Sequence, residues 1–194
     1  MIRYGIIILA AGASSRLGKP KQLLTYQHRT LIKNIVDAAL QCRNSITIVV
    51  TGAVKDEVEQ ELQNTEVVLC YNDQWQSGMS SSIRAGVSKM KVLQPQVEAC
   101  ILTVCDQPHI SANVLMRLIE KHEEGGHNIV ASAYADTVGT PALFSRDHFD
   151  ELLNLQGEEG AKKLLKKYSG DISLVAFERG EIDIDTAEDY SKLI

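Results

Sequence analysis

Near its start the chain runs Ile6-Ile7-Ile8-Leu9 and then breaks into Ala10-Ala11-Gly12-Ala13-Ser14-Ser15-Arg16-Leu17-Gly18-Lys19-Pro20-Lys21. The apolar run, rich in β-branched residues and bounded by small ones, predicts a buried parallel strand. The segment behind it predicts a loop at the strand's carboxyl end that closes on an anion. Its glycines let backbone N–H groups approach a ligand with no Cβ in the way, and its cations balance several phosphate charges. A nucleoside triphosphate fits this chemistry.

Size and charge narrow the class. Of 194 residues, 44% are hydrophobic and 23% charged, the balance of a soluble globular chain, and one domain over 1–194 can bury a sizeable core. The net charge of −5 argues against general nucleic-acid binding and gives no polybasic membrane signal. The charge is unevenly spread. No carboxylate side chain precedes Asp37, yet Arg3, Arg16, Lys19, Lys21, Arg29 and Lys33 all do, and such a stretch in an acidic chain predicts an anion held nearby. Cys42, Cys70, Cys100 and Cys105 show no C-x-x-C spacing, and the last three lie in or beside apolar runs. No zinc site or disulfide framework follows, which suits a reducing cytosol and a cytoplasmic location. The apolar stretch 6–11 is shorter than a signal-peptide core and passes at once into polar loop chemistry, and no membrane span is expected.

Strand and helix patterns alternate almost to the end. Strands are predicted over 6–9, 46–50, 67–70, 99–104, 129–133 and 172–177, with a short extended piece over 142–144 after a loop that ends at Pro141. Helices are predicted over 31–40, 54–62, 77–90, 111–121, 147–155, 159–168 and 187–193. This alternation calls for an α/β fold, a single-domain three-layer α/β/α with a mostly parallel, Rossmann-like nucleotide-binding sheet. Its second half reads as more mixed than its first. Ligands of such sheets bind outside the carboxyl ends of the strands, and the segments 10–21 and 105–108 directly follow predicted strands.

Two common phosphate motifs are excluded. A Walker A loop has four residues between its glycines and then Lys-Ser/Thr; here five residues separate Gly12 from Gly18, and Pro20 follows Lys19. A dinucleotide fingerprint needs a glycine where Ser14 stands, which disfavours a nicotinamide oxidoreductase. What remains is Leu9-Ala10-Ala11-Gly12-x-Ser14-x-Arg16-x-Gly18-x-x-Lys21-Gln22-Leu23-Leu24. This pattern resembles the opening of the MobA-like nucleotidyltransferases, most closely the molybdenum cofactor cytidylyltransferase branch. The resemblance spans nearly the whole chain, and it implies the fold of the nucleotide-diphospho-sugar transferases.

Read physically, Gly12 lets the backbone approach phosphates, Arg16 can bridge phosphate oxygens in a bidentate fork, and Lys21 is a point charge suited to the α-phosphate. The resemblance implies that Leu9, Ala10, Ala11, Gly12, Ser14, Arg16 and Lys21 bind the nucleotide, and that Ala-Ala-Gly favours a pyrimidine. A second cluster, Asn72, Trp75, Gly78, Met79, Ser80 and Ser82, resembles the family's N-x-x-W-x-x-G-x-x-x-S. Gly78, Met79, Ser80 and Ser82 would present N–H and hydroxyl groups to base or ribose, while Trp75 reads as a core anchor.

Asp106 closes the apolar run of Leu102-Thr103-Val104-Cys105 and precedes Gln107-Pro108. It reads either as a turn or capping residue or as a metal ligand, and the family's D-x-P implies the latter. Asp183-Ile184-Asp185-Thr186-Ala187-Glu188-Asp189 resembles the family's D-I-D-T-P-E-D tail, with Ala187 in place of proline. Residues 183 and 185 of an extended stretch face the same way, so either could reach the metal; the analogy favours Asp185. Thr186 would cap the last helix, with Glu188 and Asp189 complementing its dipole. Gly139-x-Pro141 and the segment Gly157-Glu158-Glu159-Gly160-Ala161 match looser family segments on the acceptor side. His109 reads as incidental.

The expectation is an Mg²⁺-dependent nucleotidyltransferase with Arg16, Lys21 and Asp106 at the reacting phosphate and Asp106 and Asp185 on the metal. The resemblance implies CTP and molybdopterin as substrates, with a molybdoenzyme as recipient. The alternatives are a non-catalytic nucleotide- or cofactor-binding maturation protein, or transfer with another base or acceptor.

Overall fold

The computed structural model describes residues 1–193. Its strands are β1 (Tyr4–Leu9), β2 (Thr25–Tyr26), β3 (Arg29–Thr30), β4 (Ser45–Thr51), β5 (Val68–Tyr71), β6 (Ala99–Val104), β7 (Ile129–Tyr134), β8 (Thr137–Ser145) and β9 (Ile172–Ala176). The helices are α1 (Leu31–Leu40), α2 (Lys55–Glu61), α3 (Met79–Leu93), α4 (Ala112–Gly125), α5 (Phe149–Leu153), α6 (Lys162–Lys167) and α7 (Ala187–Leu193). Seven strands form one sheet in the order β5-β4-β1-β6-β8-β7-β9, and β2 pairs with β3 in a small separate hairpin.

The sheet is parallel except for β8, which runs antiparallel to both β6 and β7. Helices cover both faces. Ile6, Ile8, Val49 and Ile101 pack with Ile32 and Val36 of α1, Val58 of α2 and Leu115 and Leu118 of α4. Ile7, Ile48, Val50 and Leu102 pack on the other side with Ile83, Val87 and Met90 of α3, Phe149 and Leu152 of α5, and Leu164 and Leu165 of α6. Successive residues of β1 therefore enter opposite cores, which is why this strand reads as a continuous apolar run and not as an alternating one.

Local chemistry fixes the helix ends. Thr30 caps α1 by accepting from Lys33 N, and Ser111 caps α4 by accepting from Val114 N. Gly126 ends α4 in the left-handed conformation.

The chain departs from expectation mainly between 137 and 145. The stretch read as a loop with a short extended tail is instead the nine-residue strand β8, paired on both sides. Ala135 and Asp136, both at positive φ, make a tight hairpin between β7 and β8. Neither is glycine or asparagine, so the usual turn signal was missing. Pro141 sits inside this strand. The helix read over 147–155 is shorter, a 3-10 turn (Arg146–His148) followed by α5. α3 starts and ends later than the predicted 77–90, because a 3-10 turn, Trp75–Ser77, precedes it.

The chain order places a switch point at the centre of the sheet. From β1 the chain moves outward through β4 and β5, then returns to lay β6 on the opposite side of β1. The crevice between the carboxyl ends of β1 and β6 is where such sheets take ligands.

Candidate active site

Leu9 of β1 and Val104 of β6 are register partners, so Ala11 and Asp106, each two residues further on, emerge at the same height. The loop after β1 is held from behind. Ala53 N donates to Ala11 O at 3.0 Å, and a Cβ on Gly52 would lie 2.5 Å from that same oxygen, so only glycine permits the approach. Leu17 from the loop joins Leu24, Leu31 and Ile184 in a small apolar cluster. That cluster also settles where the tail goes. Ile184 is fully buried and its N–H donates to Asp106 O at 2.9 Å, which brings Asp183 and Asp185 to the end of β6.

Four charged side chains meet there. Lys21 Nζ lies 2.5 Å from Asp106 Oδ2 and 3.0 Å from Asp185 Oδ1, and Arg16 Nη2 lies 2.8 Å from Asp185 Oδ2. Burial alone would push the Lys21 ammonium down, but the Asp106 carboxylate and hydrogen bonds to Asp106 and Asp185 outweigh it and hold it well above its ordinary value. The hydrogen bond from Lys21, with help from Arg16, pulls Asp185 below the usual carboxylate range. Asp183 goes the other way, up to about 6, through burial and then the neighbouring charges of Asp106 and Asp185. The ammonium is the cation that both carboxylates face. Two carboxylate oxygens from distant parts of the chain converge on one point, which is what a small divalent ion with few protein ligands requires. Among the described residues no group of three or more His, Cys, Asp or Glu is arranged to hold a metal, so such an ion would take its remaining ligands from phosphate and water.

The other wall is the start of α3. Asn72 is buried and donates to Ser81 Oγ at 2.8 Å and Ser82 Oγ at 3.0 Å. Gly78 has φ +94°, and a Cβ there would lie 2.3 Å from Gly157 O. The 157–160 turn docks on this glycine, and Ser80 N donates to Gly157 O at 3.2 Å.

Leu9, Ala10, Ala11, Gly12, Arg16, Lys21, Gly78, Met79, Ser82 and Asp106 all line one open cleft of about 480 Å³. Three residues named from sequence do not line it. Ser14 Oγ is turned inward, accepting from Lys21 N and donating to Gln22 Oε1. Ser80 is fully buried and accepts from Arg84 Nη1. Asp185 stands at the rim, joined through Lys21 and Arg16. Trp75, read as a core anchor, packs against the core and also lines the cleft. Gln76, which carried no sequence signal, lines it too, and Glu158, read from sequence as part of an acceptor-side segment, joins the same cleft. Asp189 does more than complement a dipole: it accepts from Thr186 N and Oγ1 while Thr186 Oγ1 accepts from Asp189 N, a reciprocal cap on α7.

The acid-free start is only partly about the cleft. Arg3 pairs with Glu98 and Glu123, Arg29 with Asp37, and Lys33 with Glu61; with Arg16 and Lys21 on Asp185 and Asp106, five of those six cations answer the protein's own carboxylates. Only Arg16 and Lys21 line the cleft.

A cleft at the switch point of a mostly parallel sheet, walled by a glycine-bearing loop and closed by a lysine–aspartate cluster, is the architecture of a nucleotidyltransferase. A model of the MobA-like NTP transferase domain matches residues 6–172, and the chain belongs to that family. Nicotine blue oxidoreductase of Paenarthrobacter nicotinovorans is 28% identical over 97% of this chain and 95% of its own. Molybdenum cofactor cytidylyltransferase of Escherichia coli K12 is 27% identical over 95% of this chain and 92% of its own. Among solved structures, Rv0371c of Mycobacterium tuberculosis H37Rv superposes with a TM-score of 0.85 at 29% identity, covering 98% of this chain and 97% of that one. A manganese complex of Rv0371c superposes with a TM-score of 0.80 at 28% identity and the same coverage of each chain.

Proposed function

We propose that the chain is a divalent-metal-dependent cytidylyltransferase that moves CMP from CTP onto the terminal phosphate of molybdopterin-bound molybdenum cofactor. An acceptor phosphate oxygen attacks the α-phosphorus in line, the bond to the β-phosphate oxygen breaks, and pyrophosphate leaves. The observation that carries this reading is the convergence of Lys21, Asp106 and Asp185 beside the loop that follows β1. Phosphoryl transfer asks little covalent chemistry of a protein and depends on positioning and charge neutralisation. Asp106 and Asp185 would hold Mg²⁺, which supplies charge neutralisation at the phosphates. The manganese complex of Rv0371c supports a divalent ion in this setting.

The residues divide the remaining work. Gly12 and the free N–H groups around it receive the phosphates, Arg16 bridges two of their oxygens, and Lys21 balances the charge that builds at the α-phosphate as the attacking oxygen arrives. Gly78, Met79 and Ser82 at the start of α3 face the base and ribose. Ala10-Ala11-Gly12 and the E. coli relative support CTP over purine nucleotides. The recipient would be a molybdoenzyme and the setting the cytoplasm; no helix among the described residues is long and apolar enough to cross a membrane.

The oxidoreductase among the relatives gives the competing reading. Hydride transfer from a nicotinamide needs that ring held against the acceptor atom and has no use for a pair of carboxylates around a lysine, so the cluster favours phosphoryl chemistry. Pyrophosphate release from CTP, GTP, UTP and ATP with Mg²⁺ and molybdopterin separates these outcomes. CTP alone should turn over, and Asp106→Asn should abolish release while the melting temperature holds. Oxidation of a reduced nicotinamide cofactor by added nicotine blue, with no pyrophosphate from any triphosphate, would reverse the assignment.

A further inference from the structure

Gln22 is 1% exposed although it sits beside the open cleft. Its Nε2 donates to two carbonyls of the loop, Ala10 O at 2.9 Å and Gly12 O at 2.8 Å. Its Oε1 accepts from Ser14 Oγ at 3.4 Å, and Ser14 Oγ accepts from Lys21 N at 3.0 Å. Two further loop carbonyls are held as well, Ala11 O by Ala53 N and Ser14 O by Leu17 N. The N–H groups are in the opposite state. Among the described residues, no protein acceptor meets the N–H of Gly12, Ala13, Ser15 or Arg16.

A peptide carries its donor and acceptor on opposite edges, so tying the carbonyls back into the fold turns the N–H edge outward. A run of outward N–H groups is an anion receptor. We propose that Gln22 is the positioning residue that makes the loop such a receptor, setting affinity for a polyphosphate through the backbone of 10–14. The proposal rests on the reading that this loop takes the phosphates, and it adds why the Lys21-Gln22 pair belongs together. Both lie on one 3-10 turn, Lys21–Leu23: Lys21 reaches outward to the carboxylates and Gln22 inward under the loop. Only a neutral amide can donate to two carbonyls and accept from a hydroxyl there. A carboxylate would face two carbonyl oxygens and an incoming anion.

The test is calorimetric titration with inorganic tripolyphosphate, which carries no base, and with cytidine, which carries no phosphate. Gln22→Met keeps the length and loses the donor. It should weaken tripolyphosphate binding by about tenfold, the worth of a lost buried hydrogen bond, with cytidine binding unchanged; Gln22→Glu should weaken it further. Wild-type tripolyphosphate affinity in Gln22→Met would show that the side chain only fills space and overturn the proposal. So would equal loss of cytidine and tripolyphosphate binding, the mark of general loosening. Should Gln22→Met fail to fold, Ser14→Ala frees the other end of the amide and is expected to weaken tripolyphosphate binding by about threefold; no change would overturn the proposal equally. Tripolyphosphate binding with no preference for CTP would sink the cytidylyl reading and leave Gln22 in its role, whereas a wild-type chain that ignores tripolyphosphate would end both.

Discussion

The Lys21 ammonium lies 2.5 Å from Oδ2 of Asp106, so the carboxylate proposed above as a metal ligand is already paired with a cation. Asp185 shares that cation from the other side at 3.0 Å. A divalent ion entering this site must displace Lys21, and incoming phosphates give the ammonium somewhere to go. Metal and nucleotide binding should therefore support one another. In Lys21→Ala the competing charge is gone, Asp106 is left unpaired and Asp185 keeps only Arg16. Binding of Mn²⁺ without nucleotide, followed by electron paramagnetic resonance of the free ion, should tighten severalfold, while the transfer rate falls by about 10² to 10³ through loss of charge stabilisation. Weaker Mn²⁺ binding in the variant would mean that the carboxylates converge only because the lysine draws them together.

Gly78 joins the base-side wall to the rest of the cleft. Its φ of +94° and the 2.3 Å approach of Gly157 O to a would-be Cβ leave no room for a side chain. Gly78→Ala should cost about 1–3 kcal/mol through strain alone, a fall of several degrees in melting temperature at this chain length. Gly170→Ala, where a Cβ would meet nothing within 4 Å, should leave the melting temperature near wild type. Scanning calorimetry of the pair separates close approach from a general cost of losing glycine.

Glu151 ties α5 to α6 by accepting from Lys167 and from Tyr168 Oη and facing His148 Nδ1. Hydrogen bonds from Lys167 and Tyr168 pull its carboxyl down to about 2 from an ordinary 4.5. The unfolded chain therefore takes up a proton at Glu151 before the folded chain does. Its stabilising contribution is complete above pH 4.5 and drains away as the pH falls towards 2. Urea midpoints measured across that window should decline, and Glu151→Gln should flatten the decline while lowering the midpoint at pH 7.

Much of this was legible in the chain. The run Ile6–Leu9 enters two cores at once, so an uninterrupted apolar stretch could be read as a central strand. Asp106 was findable because a carboxylate directly follows a buried strand and a proline soon stiffens the turn. Strand β8 was not, because its hairpin uses Ala135 and Asp136 and a proline lies within it, each a local signal against a strand that tertiary pairing overrides. The inward turn of Ser14 and Ser80 was hidden for a related reason: a serine on a phosphate-binding loop or at a helix start can serve ligand or backbone equally. Glu158 entered the cleft only through the docking of its turn on Gly78, a contact between segments far apart in sequence. Gln22 was visible as part of a motif, and its purpose became visible only with the carbonyls it holds.

Ile184 offers a test of the tail that touches no charged group. It is fully buried with Leu17, Leu24 and Leu31, and it stands between the two aspartates that the sequence left as alternatives. Asp185 meets Lys21 and Arg16, whereas Asp183 is the one whose carboxyl is raised by burial and by its acidic neighbours. If packing of this one side chain aims the segment, removing it should unmake the cluster without deleting any member. Ile184→Ala is expected to cost about 2–5 kcal/mol of stability and to loosen Asp185 from Lys21. Mn²⁺ affinity in the presence of CTP should then fall well below wild type at a temperature where the variant is still folded. Ile184→Val, which keeps most of the volume, should cost about 1 kcal/mol and restore ion binding. Unchanged Mn²⁺ affinity in a folded Ile184→Ala chain would show that Asp185 finds its place without the apolar anchor, drawn there by Lys21 and Arg16 alone.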